Sequence, residues 1–213
     1  MFDKQVYIDR RTELKKNFKT GVILFLGNDE SAMNYPGNTY AFRQDSSFLY
    51  YFGLDVPNMI GIIDIDENKE ILFGHEFSVE DIVWMGPQPK LAQLAEQIGV
   101  AQTESIDTLK KYLKSKKNKQ TKIHFLPTYR GDQTLKLADL VDENPYKLKS
   151  KFSKKLIEAV VAQRSVKGEE EVAEIEYAME IAYQMHTTAM RMAKPGVIER
   201  DIAGAIEGIA LSL

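Results

Sequence analysis

The stretch GVILFLGN places five apolar residues in a row, Val22 to Leu26, between two glycines. A run this short has the length of a strand, and a strand that is apolar at every position has both faces covered. Whatever fold this chain adopts must therefore supply two layers around that strand.

The neighbouring segments provide candidates for those layers. MIGIIDIDENKEILF reads as a β-hairpin, with Ile62, Ile63 and Ile65 on one arm, Ile71 to Phe73 on the other, and Asp66 to Lys69 turning between them. KIHFLPTYRG supplies a further short strand stopped by Pro127. Helical spacing recurs in the charged segment carrying Val6, Leu14 and Phe18, which ends near Thr20-Gly21, and again in Leu91, Leu94, Ala95 and Ile98 and in Ile106, Leu109 and Leu113. Strands interleaved with helices of this length predict an α/β domain over residues 1–163, a mixed sheet flanked by helices.

Beyond about Phe152 the pattern predicts helices only. One runs to about Ala162, a break follows from Arg164 to Gly168, and a long helix then carries the stripe Val172, Ile175, Met179, Ala182, Met185, Ala189 and Met190. Glu169 to Glu171 favour its positive N-terminal end, and Lys194-Pro195-Gly196 stops it. Ile202, Ala205, Ile206, Ile209 and Leu213 then line a further helix whose stripe is still running at the last residue. Residues 164–213 are accordingly expected to be a linker and the first helices of a truncated second domain.

Composition removes several functions. With no cysteine there is neither a disulfide nor a thiol nucleophile. A formal net charge of −3 gives no global basic excess, and the Lys-rich run from Lys110 to Lys122 lacks interleaved arginines and aromatics, so it predicts a solvated helix end rather than a nucleic-acid surface. No apolar run approaches the ~20 residues of a membrane span, and MFDKQVYIDRR is not a signal peptide, which makes the cytoplasm the expected compartment.

TYAFRQDSSFLYYFGL is the unusual segment, because Arg43, Gln44 and Asp45 interrupt an aromatic run. The pattern predicts a short helix over Phe48 to Phe52 capped by Asp45 or Ser46 and closed by a left-handed Gly53. Arg43 is placed to pair with Asp45 or a neighbouring carbonyl.

FRQDSSFLYYFGL resembles the segment of the Xaa-Pro aminopeptidase (aminopeptidase P) family in which Arg-Gln-Asp/Asn-Ser precedes an aromatic-rich helix. VWMGPQP around Trp84 is similar to the family's tryptophan-glycine segment. RSVKGEEEVAEIEYAMEIAYQMHTTAM with KPGVIERDIAGAIEG looks like its linker and the first two helices of its catalytic domain. One departure is Lys167-Gly168, where relatives carry Ser-Pro or Thr-Pro before the glutamates; glycine still serves as an N-cap.

The resemblance implies a creatinase-like amino-terminal domain joined to a pita-bread catalytic domain. There two aspartates, a histidine and two glutamates hold two divalent metals, usually manganese, and a bridging hydroxide attacks the bond before proline. The chain is thus expected to be a non-catalytic portion that binds no metal of its own, contributes to a homo-oligomer and to the rim around peptides with proline in second position, and is inactive alone. Two other classes share the fold: a protein-interaction module without catalysis, and a prolidase or creatinase relative.

Individual residues carry matching expectations. Trp84, in DIVWMGPQP with Gly86, Pro87 and Pro89, is expected on a loop, either packing that loop down or, by the resemblance, walling the substrate pocket of a neighbouring subunit. Arg43, Gln44, Asp45 and Ser46 form the structural motif. His186 is expected at a packed helix edge near Ala182 and Ala189, and His124, between Ile123 and Phe125 in a strand, is expected to be structural. His75, Glu76 and Asp81 lack the convergence of a metal site.

Overall fold

The computed structural model describes residues 1–213. In chain order it contains α1 (Lys4–Lys15), β1 (Val22–Leu26), β2 (Ala32–Tyr35), β3 (Asn38–Thr39), α2 (Ser46–Phe52), β4 (Ile60–Asp64), β5 (Lys69–Gly74) and α3 (Val79–Met85). There follow α4 (Leu91–Gln97), β6 (Gln102–Ser105), α5 (Ile106–Asn118), β7 (Ile123–Phe125), α6 (Gly131–Val141), a 3-10 turn (Pro145–Ser150), α7 (Lys154–Ser165), α8 (Glu169–Met192) and α9 (Glu199–Ser212). The chain divides into two compact units, Met1–Gln163 and Arg164–Leu213.

The first unit is organised on β1. Its sheet has the order β6-β5-β4-β1-β7. β1 lies antiparallel to β4 and parallel to β7, while β5 lies antiparallel to β4 and parallel to β6, so the mixed sheet predicted from sequence is present. Side-chain alternation sends Ile23, Phe25, Ile63 and Leu72 to one face, where they pack with residues of α1, α2, α4 and α7. Val22, Leu24, Ile62 and Phe73 point to the other face, against α5, α6 and the 3-10 turn. Three layers result, as the two-faced burial of β1 requires.

Two ionic tethers cross these layers. Arg11 of α1 is fully buried; its Nε donates to Glu70 on β5 at 2.7 Å, and its Nη atoms donate at 2.8 Å to the carbonyls of Tyr51 and Ile98. Burial lowers its pKa, offset in part by Glu70. On the opposite face buried Asp64 meets Tyr112 and Lys116 of α5, and Lys116 also pairs with Glu67. Burial works against the Lys116 charge, but Asp64 and Glu67 outweigh it and raise the pKa; Lys116 and Lys69 hold Glu67 down to about 2. The basic run is therefore only partly solvated, because Lys116 falls three residues after buried Leu113 on the helix face turned to the sheet.

Other departures from the sequence patterns have local causes. α1 stops at Lys15, short of Thr20, because the Asn17 side-chain amide donates to the carbonyls of Glu13 and Leu14. β6 is an edge strand of polar residues, Gln102 to Ser105, with no apolar alternation to reveal it.

The second unit is helical. Gly168 caps α8, its N–H donating to Glu171 Oε2 at 3.1 Å, and the helix ends before Gly196, which has φ +90°. α8 and α9 lie against each other, and Tyr177 Oη donates to the Leu213 carbonyl at 2.8 Å. Neither helix has a buried residue.

Candidate functional site

The segment from Arg43 to Ser46 is built by backbone demands. Asp45 Oδ1 accepts from the N–H groups of Ser47 and Phe48, both at 2.9 Å, and Gly53 at φ +67° ends α2 with its N–H on the Leu49 carbonyl. Phe48, Tyr51 and Phe52 are thereby delivered to the core. Gln44 is buried and fully engaged. Its Oε1 accepts from Asn28 and Asp45 N–H at 2.7 and 2.8 Å, and its Nε2 donates to the carbonyls of Leu54 and Val56 at 3.2 and 2.9 Å. It ties the loop after β1 to both ends of α2. Arg43 does not pair with Asp45, whose carboxylate is occupied as a cap; its guanidinium is exposed in an open depression with Asp29, Tyr40 and Arg130. Ser46 opens the helix at the surface.

Trp84 sits in a helix, which corrects the expectation of a loop. Ser78 and Asp81 form a capping box that starts α3: Ser78 Oγ accepts from Asp81 N–H at 3.1 Å and Asp81 Oδ2 from Ser78 N–H at 2.8 Å. The Ser78 hydroxyl, which also donates to Asp81 Oδ2 at 2.7 Å, and the Ser78 N–H lower the Asp81 pKa. Gly86, at φ +76°, closes the helix through its N–H to the Ile82 carbonyl. The turn signal of Gly86-Pro87 thus marks the helix end rather than a loop through Trp84. No residue of α3 is buried; Trp84 is 82 % exposed and Val83 75 %. A short helix capped at both ends here presents an indole to solvent.

The histidines and acids do not converge on a metal. No three His, Cys, Asp or Glu side chains come together with metal-binding geometry. Glu76 accepts the Leu91 N–H at the start of α4, and Asp81 is the capping partner of Ser78. His124 is buried in β7 with Nδ1 2.7 Å from Ser153 Oγ, and burial, with Lys122 and Lys155 nearby, lowers its pKa to about 4. His186 is exposed on α8 instead of lying at a packed edge, because α8 buries none of its residues. The donors present do not fit a two-metal centre.

Arg11, Asp64, Lys116 and Gln133 are buried polar residues that motif reading passes over. Parity was the available signal for three of them. Arg11 lies four residues after Tyr7 and three before Leu14, Lys116 three after Leu113, and Asp64 two after Ile62, each on a buried face.

Residues 7–124 match the family model described as the aminopeptidase P N-terminal domain. The chain belongs to this family. Among curated proteins, this aminopeptidase P family member is 28 % identical to the Xaa-Pro dipeptidase of Homo sapiens over 200 residues, which cover 91 % of this chain and 39 % of that protein. It is 22 % identical to the Xaa-Pro aminopeptidase of Escherichia coli K12, across 95 % of this chain and 48 % of the relative. The fold agrees with proline aminopeptidase P II from Yersinia pestis at TM-score 0.81 and 21 % identity, over 99 % of this chain and 50 % of that one. A zinc-substituted form of E. coli aminopeptidase P with bound product superposes at TM-score 0.78 and 19 % identity. The chain spans half or less of the length of these relatives.

Proposed function

We propose that these residues serve as the amino-terminal, non-catalytic portion of a metal-dependent Xaa-Pro aminopeptidase that releases the residue preceding proline. Their part is to contribute subunit contacts and one aromatic side of the substrate rim. The observation that carries this reading is Trp84, 82 % exposed on a capped helix with no core contact to explain it. An exposed indole beside Val83 and Met85 is suited to meet the ring of a proline-containing peptide or a neighbouring subunit. The two metals, manganese by family resemblance, belong to the catalytic portion, since the carboxylates and imidazoles here are engaged as caps and core contacts or stand apart.

Trp84→Ala, placed in a polypeptide carrying both portions, should lower kcat/KM for short Xaa-Pro peptides while shifting stability by less than about 0.5 kcal/mol, as for surface positions. Unchanged turnover would remove the rim role. The 213-residue chain alone, with added manganese, should leave a Gly-Pro-type dipeptide and longer Xaa-Pro peptides intact. The human relative's name favours a second reading, a dipeptidase. Comparing an Xaa-Pro dipeptide with an Xaa-Pro tripeptide as substrate separates the two.

A further inference from the structure

We propose that the cavity beyond the carboxyl ends of β1 and β7 binds a small neutral group carrying a hydrogen-bond donor and acceptor side by side, a carboxamide. β1 and β7 are parallel neighbours whose onward connections part: the chain after β1 leads to α2 in one layer, and the chain after β7 leads to α6 in the other. Sheets open a crevice at such a divergence. Here it is a cavity of ≈ 40 Å³, more than the roughly 10–15 Å³ one water needs. Leu24, Leu26, Phe125 and Leu137 give it apolar walls, and Gln133, on the first turn of α6, enters it.

Gln133 is 4 % exposed, and neither its Nε2 nor its Oε1 has a hydrogen-bond partner. Buried amides are normally satisfied, as Gln44 is with four bonds. Several other polar groups of the lining have partners elsewhere. Asn28 Nδ2 donates to the Arg43 carbonyl at 2.8 Å, the Thr128 and Thr134 hydroxyls pair at 2.7 Å, and Asp45 caps α2. Arg130 is held by Ser31, Asp132 and the Asp29 carbonyl. The buried, unpartnered capacity in the cavity is the Gln133 amide itself, two N–H donors and one carbonyl acceptor on a single planar side chain. A carboxylate would satisfy the donors but offer no donor to Oε1; an ammonium would leave the donors unpaired. An amide complements both ends of Gln133 without bringing in charge. This inference does not depend on the role given to Trp84.

The test is a titration of the 15N-labelled chain with acetamide and, separately, with acetate, read on the Gln133 side-chain NH2 and the backbone amides of 126–134. The expected result is saturable shifts with acetamide in the millimolar range or tighter, the scale open to a ligand of so few atoms. Acetate should produce none, and Gln133→Leu should weaken acetamide binding at least tenfold. Absence of saturation with acetamide, equal response to acetate, or binding retained by Gln133→Leu would overturn the proposal, leaving a water-filled cavity. Should the variant not fold, a nuclear Overhauser contact between the acetamide methyl and the Leu137 methyls of the unaltered chain decides, and its absence counts against the site.

Discussion

Residues 1–163 and 164–213 carry apolar stripes of similar quality, yet only the first set is buried. Leu91, Leu94, Ala95 and Ile98 lie at 4 % exposure or less, whereas Val172, Ile175 and Met179 at the same spacing are 45 %, 48 % and 62 % exposed. The stripe in each case fixes a helix and the face it would offer. Burial needs a second surface, and in the first unit the sheet provides it. α8 forms nonetheless: its 24 residues are long enough to pass the nucleation cost, with Glu169–Glu171 at the positive end and Arg191 at the negative end.

The largest expected effect that separates the two units comes from Arg11. Arg11→Ala would strip the Tyr51 and Ile98 carbonyls of their donors and leave half-buried Glu70 with Lys15 as its remaining cation, and should cost about 3–5 kcal/mol in urea unfolding. Met179→Ala on exposed α8 should stay within about 0.5 kcal/mol. Comparable losses for the two would erase the contrast.

Acid should act chiefly on the first unit. His124 titrates near 4 when folded, against about 6.5 in an unfolded chain, so between these values the unfolded chain binds the extra proton. Stability therefore rises with pH through that window and falls on acidification from about 6.5 to 4, by up to about 3 kcal/mol. Amide exchange should accelerate in β1 and β7 but not in α8, and His124→Gln should flatten the dependence. An acid response confined to α8 and α9 would reverse the assignment.

Glycine substitutions give smaller effects of opposite sign. A Cβ on Gly61 of β4 would stand 2.2 Å from the Phe52 ring, so Gly61→Ala should destabilise by about 1–3 kcal/mol. Gly208 in α9 has nothing within 4 Å of its would-be Cβ, and Gly208→Ala should stabilise that helix by about 0.5–1 kcal/mol, seen as greater helicity on heating. A loss at both positions would mean that α9 is more tightly enclosed than its exposure indicates.

Much of the fold was legible because the relevant signals are local. The five-residue run of β1, the β4–β5 hairpin, the Asp45 and Gly53 ends of α2, and the α8 start after Gly168 each depend on residues within one element. The candidate site was legible in identity more than in conformation. Trp84 stood out as the single tryptophan, but its helix follows from Ser78 and Asp81, six and three residues upstream, which the prolines behind it obscured. The engagement of Gln44 with Asn28, Leu54 and Val56 needs three segments brought together, and no local pattern contains it.

The sequence by itself determined the ends of α2, the start of α8 and the β4–β5 hairpin, since caps, glycines and side-chain periodicity act over a few residues. It also determined that β1 must be covered on two faces. Tertiary structure alone decided that Lys116 is buried and His186 exposed, because charge and spacing are the same whether or not a facing layer exists. It alone decided that Gln44 finds four partners while Gln133 finds none. A polar side chain is satisfied by atoms distant in sequence, and only the packed layers place those atoms within reach.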